Sequence, residues 1–120
     1  MKQKILLVED DKDIQEIIEY NFSKEGYEVT KCSDGESAID LVRHETPDLV
    51  ILDWMLPNLS GSEILRQIRS SKKLKKIPVI MLTARTEESD KLRAFDTGAD
   101  DYITKPCLLY TSDAADDFTS

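Results

Sequence analysis

The run Leu49-Val50-Ile51-Leu52-Asp53 decides the fold. It is short, continuously apolar rather than alternating, and it ends in a carboxylate. A strand that is apolar on both faces belongs inside a parallel sheet covered by helices on either side. Two further runs share this character, Ile5–Val8 and Val79–Leu82, and each closes on polar residues. Weaker runs at Glu28–Cys32 and around Tyr102–Ile103 read as shorter or edge strands. Helical patterns fill the intervals. Ile14, Ile17, Ile18 and Phe22 recur at helical spacing, with Gly26 as the stop. Asp34-Gly35-Glu36 opens a second helix that buries Ala38, Leu41 and Val42, and Pro47 lies just beyond it. Ser60-Gly61-Ser62-Glu63 is a capping-box pattern ahead of Ile64, Leu65 and Ile68. Thr86-Glu87-Glu88-Ser89 starts a fourth helix, with acids in the first turn where the helix dipole favours them, and Gly98 ends it.

Strands and helices alternate, which predicts an α/β protein with right-handed crossovers and an open, doubly wound sheet. The expected form is flavodoxin-like: five parallel strands in the order 2-1-3-4-5. The length of 120 residues fits one domain. A composition 40% hydrophobic and 33% charged is that of a folded globular chain. A formal charge of −8 and a pI near 4.6 argue against gripping nucleic acid or an anionic membrane. The basic run Ser70–Lys76 is read as a solvated connection. No apolar run approaches the ~18–20 residues of a membrane helix. The apolar run after Met1-Lys2-Gln3-Lys4 is too short for a signal peptide. Cys32 and Cys107 make neither a disulfide framework nor a zinc site, and a cytoplasmic setting is expected.

The functional crevice of such a sheet lies at the carboxyl ends of its strands. The first strand delivers Glu9, Asp10 and Asp11 there, the third Asp53, the fourth Thr83, and the fifth leads to Lys105-Pro106. Helix capping accounts for part of the Glu9–Asp11 run. It does not account for Asp53, a carboxylate at the end of a buried apolar strand, where it is costly to place. Carboxylates that share a crevice repel one another. A hard cation with oxygen ligands and open water positions, such as Mg²⁺, relieves this. A carboxylate beside Mg²⁺ can attack a phosphoryl group and form an acyl phosphate. Lys105 would then offer a fixed positive charge and Thr83 a hydroxyl donor to the phosphoryl oxygens.

Leu7-Val-Glu-Asp-Asp11, Leu52-Asp-Trp-Met-Leu-Pro-Asn-Leu-Ser-Gly61, Ile77-Pro-Val-Ile-Met-Leu-Thr-Ala-Arg85 and Gly98-Ala-Asp-Asp-Tyr-Ile-Thr-Lys-Pro106 together resemble the receiver domain of bacterial two-component response regulators. The subfamily resembled carries a winged-helix DNA-binding output, and Asp53-Trp-Met-Leu-Pro57 is closest to the phosphate-regulon regulators. The resemblance covers residues 1–106. It implies that Asp53 is the phosphoacceptor, charged by a sensor histidine kinase. It implies that Asp10 and Asp53 bind Mg²⁺ directly with the Met55 backbone carbonyl, and that Glu9 acts through water. Lys105 and Thr83 would hold the phosphoryl group, Thr83 and Tyr102 would form the switch, and the Lys105–Pro106 bond would be cis. Lys91, Asp96, Asp100 and Asp101 match the first part of a homodimer face built from the fourth helix, fifth strand and fifth helix. No output domain is expected within these residues, and DNA binding by them is not expected.

Among the bland alternatives, Met55 and Arg85 are surface residues or screens for the acyl phosphate, and His44 answers a helix dipole. Cys32 is a small apolar core residue and Gly61 a tight helix entry. A phosphatase of the haloacid dehalogenase type needs a second Asp where Met55 stands. A nucleotide-binding domain needs a glycine-rich loop that is absent. A stand-alone receiver signalling by protein contact is the remaining rival.

After Pro106 the pattern breaks. Residues 107–120 carry three acids, no basic residue and no apolar stripe where a fifth helix belongs. The stretch Cys107–Asp116 resembles the translation of a sequencing-library transposon end running into its adapter. A receiver over 1–106 with a non-native tail is therefore expected. Loss of the fifth helix would uncover about five apolar side chains, on the order of 10 kcal/mol of burial, against a typical domain stability of ~5–15 kcal/mol.

Overall fold

In a computed structural model, the structure describes residues 2–56, 59–83 and 99–104, with the side chains of Thr83 and of 101–104 left aside. The elements run β1 (Lys4–Val8), α1 (Lys12–Lys24), β2 (Glu28–Cys32), α2 (Gly35–Glu45), β3 (Leu49–Asp53), α3 (Gly61–Ser70), β4 (Val79–Thr83) and β5 (Asp101–Thr104). All pairings are parallel, and the sheet order is β2-β1-β3-β4-β5. The order reverses between β1 and β3, so a crevice opens at their carboxyl ends. The fourth helix, Arg85, Lys91, Asp96, the Lys105–Pro106 bond, a fifth helix and the 107–120 tail lie outside the described residues.

Strand alternation divides the core between the two faces. Leu6, Val8, Val50, Leu52, Val79 and Met81 pack with Ala38, Val42, Ile64, Leu65 and Ile68 of α2 and α3. Ile5, Leu7, Ile51 and Leu82 pack on the other face with Ile14 and Ile18 of α1. Those four strand positions are at most 1% exposed. Ile80 is half-buried there.

The helix starts follow from local donors and acceptors. Asp11 caps α1, accepting from the backbone N–H of Asp13 at 2.9 Å and Ile14 at 3.3 Å. Asp34 caps α2 through the Ser37 N–H at 2.8 Å. Ser60 caps α3 through the Glu63 N–H at 3.4 Å, but the Glu63 carboxylate turns to Arg66 instead of completing the capping box. Gly26, with φ +97°, takes the left-handed turn after α1. Thr46 takes the equivalent turn after α2, with φ 42°. Within α2, Ile39 is buried with Ala38 and Val42, and the expected Leu41 is only half-buried.

Candidate functional site

The register places the acidic residues. Val8 pairs with Leu52, so the next residues, Glu9 and Asp53, leave adjacent strands side by side at the carboxyl edge. Both are fully buried, while Asp10 is exposed. One carboxylate oxygen from each of Glu9, Asp10 and Asp53 lies within 4.8 Å of the others. Asp11 does not join them, because its side chain is spent on capping α1. Glu9 Oε2 accepts from the Asp11 N–H at 3.0 Å, and Asp53 Oδ1 accepts from the Met55 N–H at 3.1 Å. These bonds aim the two buried carboxylates; they do not remove the repulsion among three like charges. A divalent cation would remove it, and three carboxylate oxygens with a solvent-exposed side suit a hard ion such as Mg²⁺. The donor set therefore fits the cation that the sequence implies.

The frame around Asp53 is built by close backbone packing. Trp54 N–H donates to the Leu82 carbonyl at 2.9 Å, extending the ladder one residue past β3. Gly61 N–H donates to the Trp54 carbonyl at 3.1 Å. A Cβ on Gly61 would fall far inside contact distance of the Asp53 carbonyl oxygen, so α3 can start there only with glycine. Gly61 is thus more than a tight entry: it lets a helix abut the residue that carries the site. Gly35 grips the same loop from α2, since a Cβ there would lie 2.6 Å from the Leu59 carbonyl oxygen.

Sequence reasoning passed over Gln15. It is 4% exposed and its amide Nε2 donates to the Glu9 carbonyl and, at 3.1 Å, to Ser33 Oγ. Gln15 flanks the Ile14/Ile18 stripe of α1 and reads as a boundary residue, so no spacing signal could have found it.

Other expected site residues are reached only in part. Thr83 ends β4, one residue beyond the Leu82 that pairs with Asp53, and Thr104 is its partner on β5. Tyr102 pairs with Met81 and Asp101 with Ile80 in the backbone ladder. Lys105 lies outside the described residues. Asp100 stands at the opposite edge of the sheet, where its Oδ2 accepts from the Val79 N–H at 2.8 Å and from Arg69 at 2.7 Å. Met55 is 68% exposed beside the cluster. Cys32 is buried, and its thiol donates to the Asp34 carbonyl at 3.0 Å. Burial pushes that thiol's pKa up, a backbone hydrogen bond at Asp34 partly offsets this, and the Asp34 charge raises it further.

Residues 5–111 match the response regulator receiver domain family. The chain belongs to that family. The match ends five residues beyond Pro106, where the sequence pattern breaks. Solved structures agree. A protein of Chloroflexus aurantiacus assigned as a response regulator is similar at 33% identity and a TM-score of 0.86, over 92% of this chain and 94% of that one. The phosphorylated cyanobacterial phytochrome response regulator RcpA is similar at 31% identity and a TM-score of 0.82, over 98% and 94%. The Mn²⁺-bound form of the response regulator Rcp1 is similar at 27% identity and a TM-score of 0.80, over 93% and 91%. The receiver is thus a module of two-component signalling. Among its described residues no helix is long and apolar enough to cross a membrane.

Proposed function

We propose that this receiver is a phospho-accepting switch in which Asp53 takes a phosphoryl group from a sensor histidine kinase in a Mg²⁺-dependent transfer. One observation carries the reading: Glu9, Asp10 and Asp53 bring carboxylate oxygens within 4.8 Å of one another at the switch point of the sheet. Packing alone gives no reason to bury two acids beside a third. The similarity to a phosphorylated and to a Mn²⁺-bound response regulator supports both halves of the proposal.

Asp10, Asp53 and the Met55 backbone carbonyl would hold the cation, with Glu9 acting through water. A Mg²⁺ held there would supply positive charge to offset that of the phosphoryl oxygens. Asp53 attacks phosphorus through a carboxylate oxygen, and the bond from phosphorus to the donor histidine nitrogen breaks. Lys105 and Thr83 take up phosphoryl oxygens by charge and by hydroxyl donation. The added charge of about −1.5 to −2 draws Thr83 toward it, and Tyr102 fills the space that is vacated. The repacked surface reaches Lys91, Asp96, Asp100 and Asp101, the proposed dimer face of the parent protein. The parent is assigned a winged-helix DNA-binding output, as in the phosphate-regulon regulators, and a cytoplasmic setting. The receiver's own sequence is taken to run to about residue 106, short of its last helix, with a non-native tail beyond it.

Trp54 is the sole tryptophan and adjoins Asp53, so its emission tests the reading directly. Emission should change with Mg²⁺, and change again with acetyl phosphate only when Asp53 is present. A folded chain that responds to neither, or an Asp53→Ala variant that responds to both, would reject the proposal.

A further inference from the structure

We propose that Gln15 is a positioning residue for the carboxylate cluster, fixing the direction in which Asp10 leaves β1. This rests on reading the cluster as a divalent-cation site. The Glu9 main chain is held from two sides: its N–H donates to the Cys32 carbonyl of β2 at 2.9 Å, and its carbonyl accepts from the Gln15 amide of α1. The Glu9 carbonyl oxygen shares one rigid peptide plane with the nitrogen and Cα of Asp10. Holding that oxygen fixes the plane, and with it the exit of the Asp10 side chain. The second acceptor of the Gln15 amide, Ser33 Oγ at 3.1 Å, lies on the loop between β2 and α2. That loop continues into Gly35, which packs on Leu59 of the segment following Asp53. One buried amide therefore braces the Glu9–Asp10 turn against the loop that also supports the Asp53 side of the site.

A glutamine that merely filled the core would affect stability alone. A positioning role also moves the affinity for the cation. Gln15→Met keeps length and approximate volume and removes both donors. The Mg²⁺ dissociation constant, read from Trp54 emission on the full chain, should rise about fivefold, the equivalent of one net hydrogen bond. Arg69→Ala, which loosens the opposite edge of the sheet, should leave that constant unchanged. Ser33→Ala removes one acceptor and should raise it about twofold. Should Gln15→Met not fold, the side-chain amide signals of Gln15 in the ¹⁵N-labelled wild type decide: they should shift saturably with Mg²⁺ at the constant that Trp54 reports. Equal affinities in the wild type and Gln15→Met, or amide signals indifferent to Mg²⁺, would overturn the role of Gln15 alone. A folded wild type with no Mg²⁺ response would instead overturn the cation-site reading beneath it.

Discussion

Asp48 and Asp100 stand at the amino edge of the sheet, Glu9 and Asp53 at its carboxyl edge, and the two pairs of acids are held in opposite ways. Asp48 and Asp100 make the same reciprocal contact with the strand beside them. Asp48 N–H donates to the Lys4 carbonyl at 2.8 Å while its carboxylate accepts from the Lys4 N–H at 2.7 Å. Asp100 N–H donates to the Val79 carbonyl at 2.9 Å while its carboxylate accepts from the Val79 N–H at 2.8 Å. Each acid satisfies the first donor of a neighbouring strand, and each is exposed. Glu9 and Asp53 also accept backbone N–H groups, yet they are fully buried and converge with Asp10. An exposed acid at a strand start serves the fold. Buried acids gathered at strand ends serve something the fold does not require.

Substitutions at the two edges should separate stability from cation binding. The largest effect belongs to Gly61→Ala, which forces a methyl group into the Asp53 carbonyl. We expect a loss of about 3 kcal/mol, at the upper end for overpacking, together with a weakened Mg²⁺ response, read by urea titration and Trp54 emission. An unchanged Mg²⁺ response in folded Gly61→Ala would break the link between α3 and the site. Arg69→Ala comes next. Arg69 joins the carbonyls of Lys75 and Ile77 to Asp100, and its loss should cost about 2 kcal/mol. Mg²⁺ affinity should not move; if it did, the edges would not be independent.

Thr46→Gly should act in the other direction. Thr46 holds a φ of 42°, a region that a β-branched residue enters only under strain, so glycine should raise stability by about 1 kcal/mol. A lowered urea midpoint would mean that the Thr46 hydroxyl, bonded to the Glu45 carbonyl at 2.8 Å, outweighs the strain. The smallest effect concerns pH. Burial raises the Cys32 pKa, so folding favours the neutral thiol. Its contribution is complete below the unfolded thiol's pKa of ~8.5 and is lost as pH climbs through the higher folded value. In a Cys107→Ser background, stability should therefore fall faster on alkalinisation with Cys32 than with Cys32→Ala. Parallel pH curves would show that the thiol is not desolvated.

Much of this was legible in the chain. Continuous apolar runs announced buried parallel strands, and their polar ends announced where Glu9, Asp10 and Asp53 meet. Capping chemistry is local, and it read correctly at Asp34 and for the Ser60 cap, though not for the Glu63 half of the box. What stayed hidden depends on contacts between segments distant in sequence. Gln15 reaches Ser33 from another element, and periodicity gives no sign of such a bond. Gly61 reads as no more than a tight helix entry because only the folded backbone brings the Asp53 carbonyl against it. The Asp48 and Asp100 pairings were invisible for the same reason: an acid before a strand gains its role from the neighbour it meets.

Intact-mass measurement after incubation with acetyl phosphate tests the central claim most directly, because it counts phosphoryl groups without assuming what they do. One added phosphoryl group is expected in the wild type with Mg²⁺, and none after chelation or in Asp53→Ala. Mg²⁺-independent labelling, or an Asp53→Ala protein that still gains the group, would contradict it.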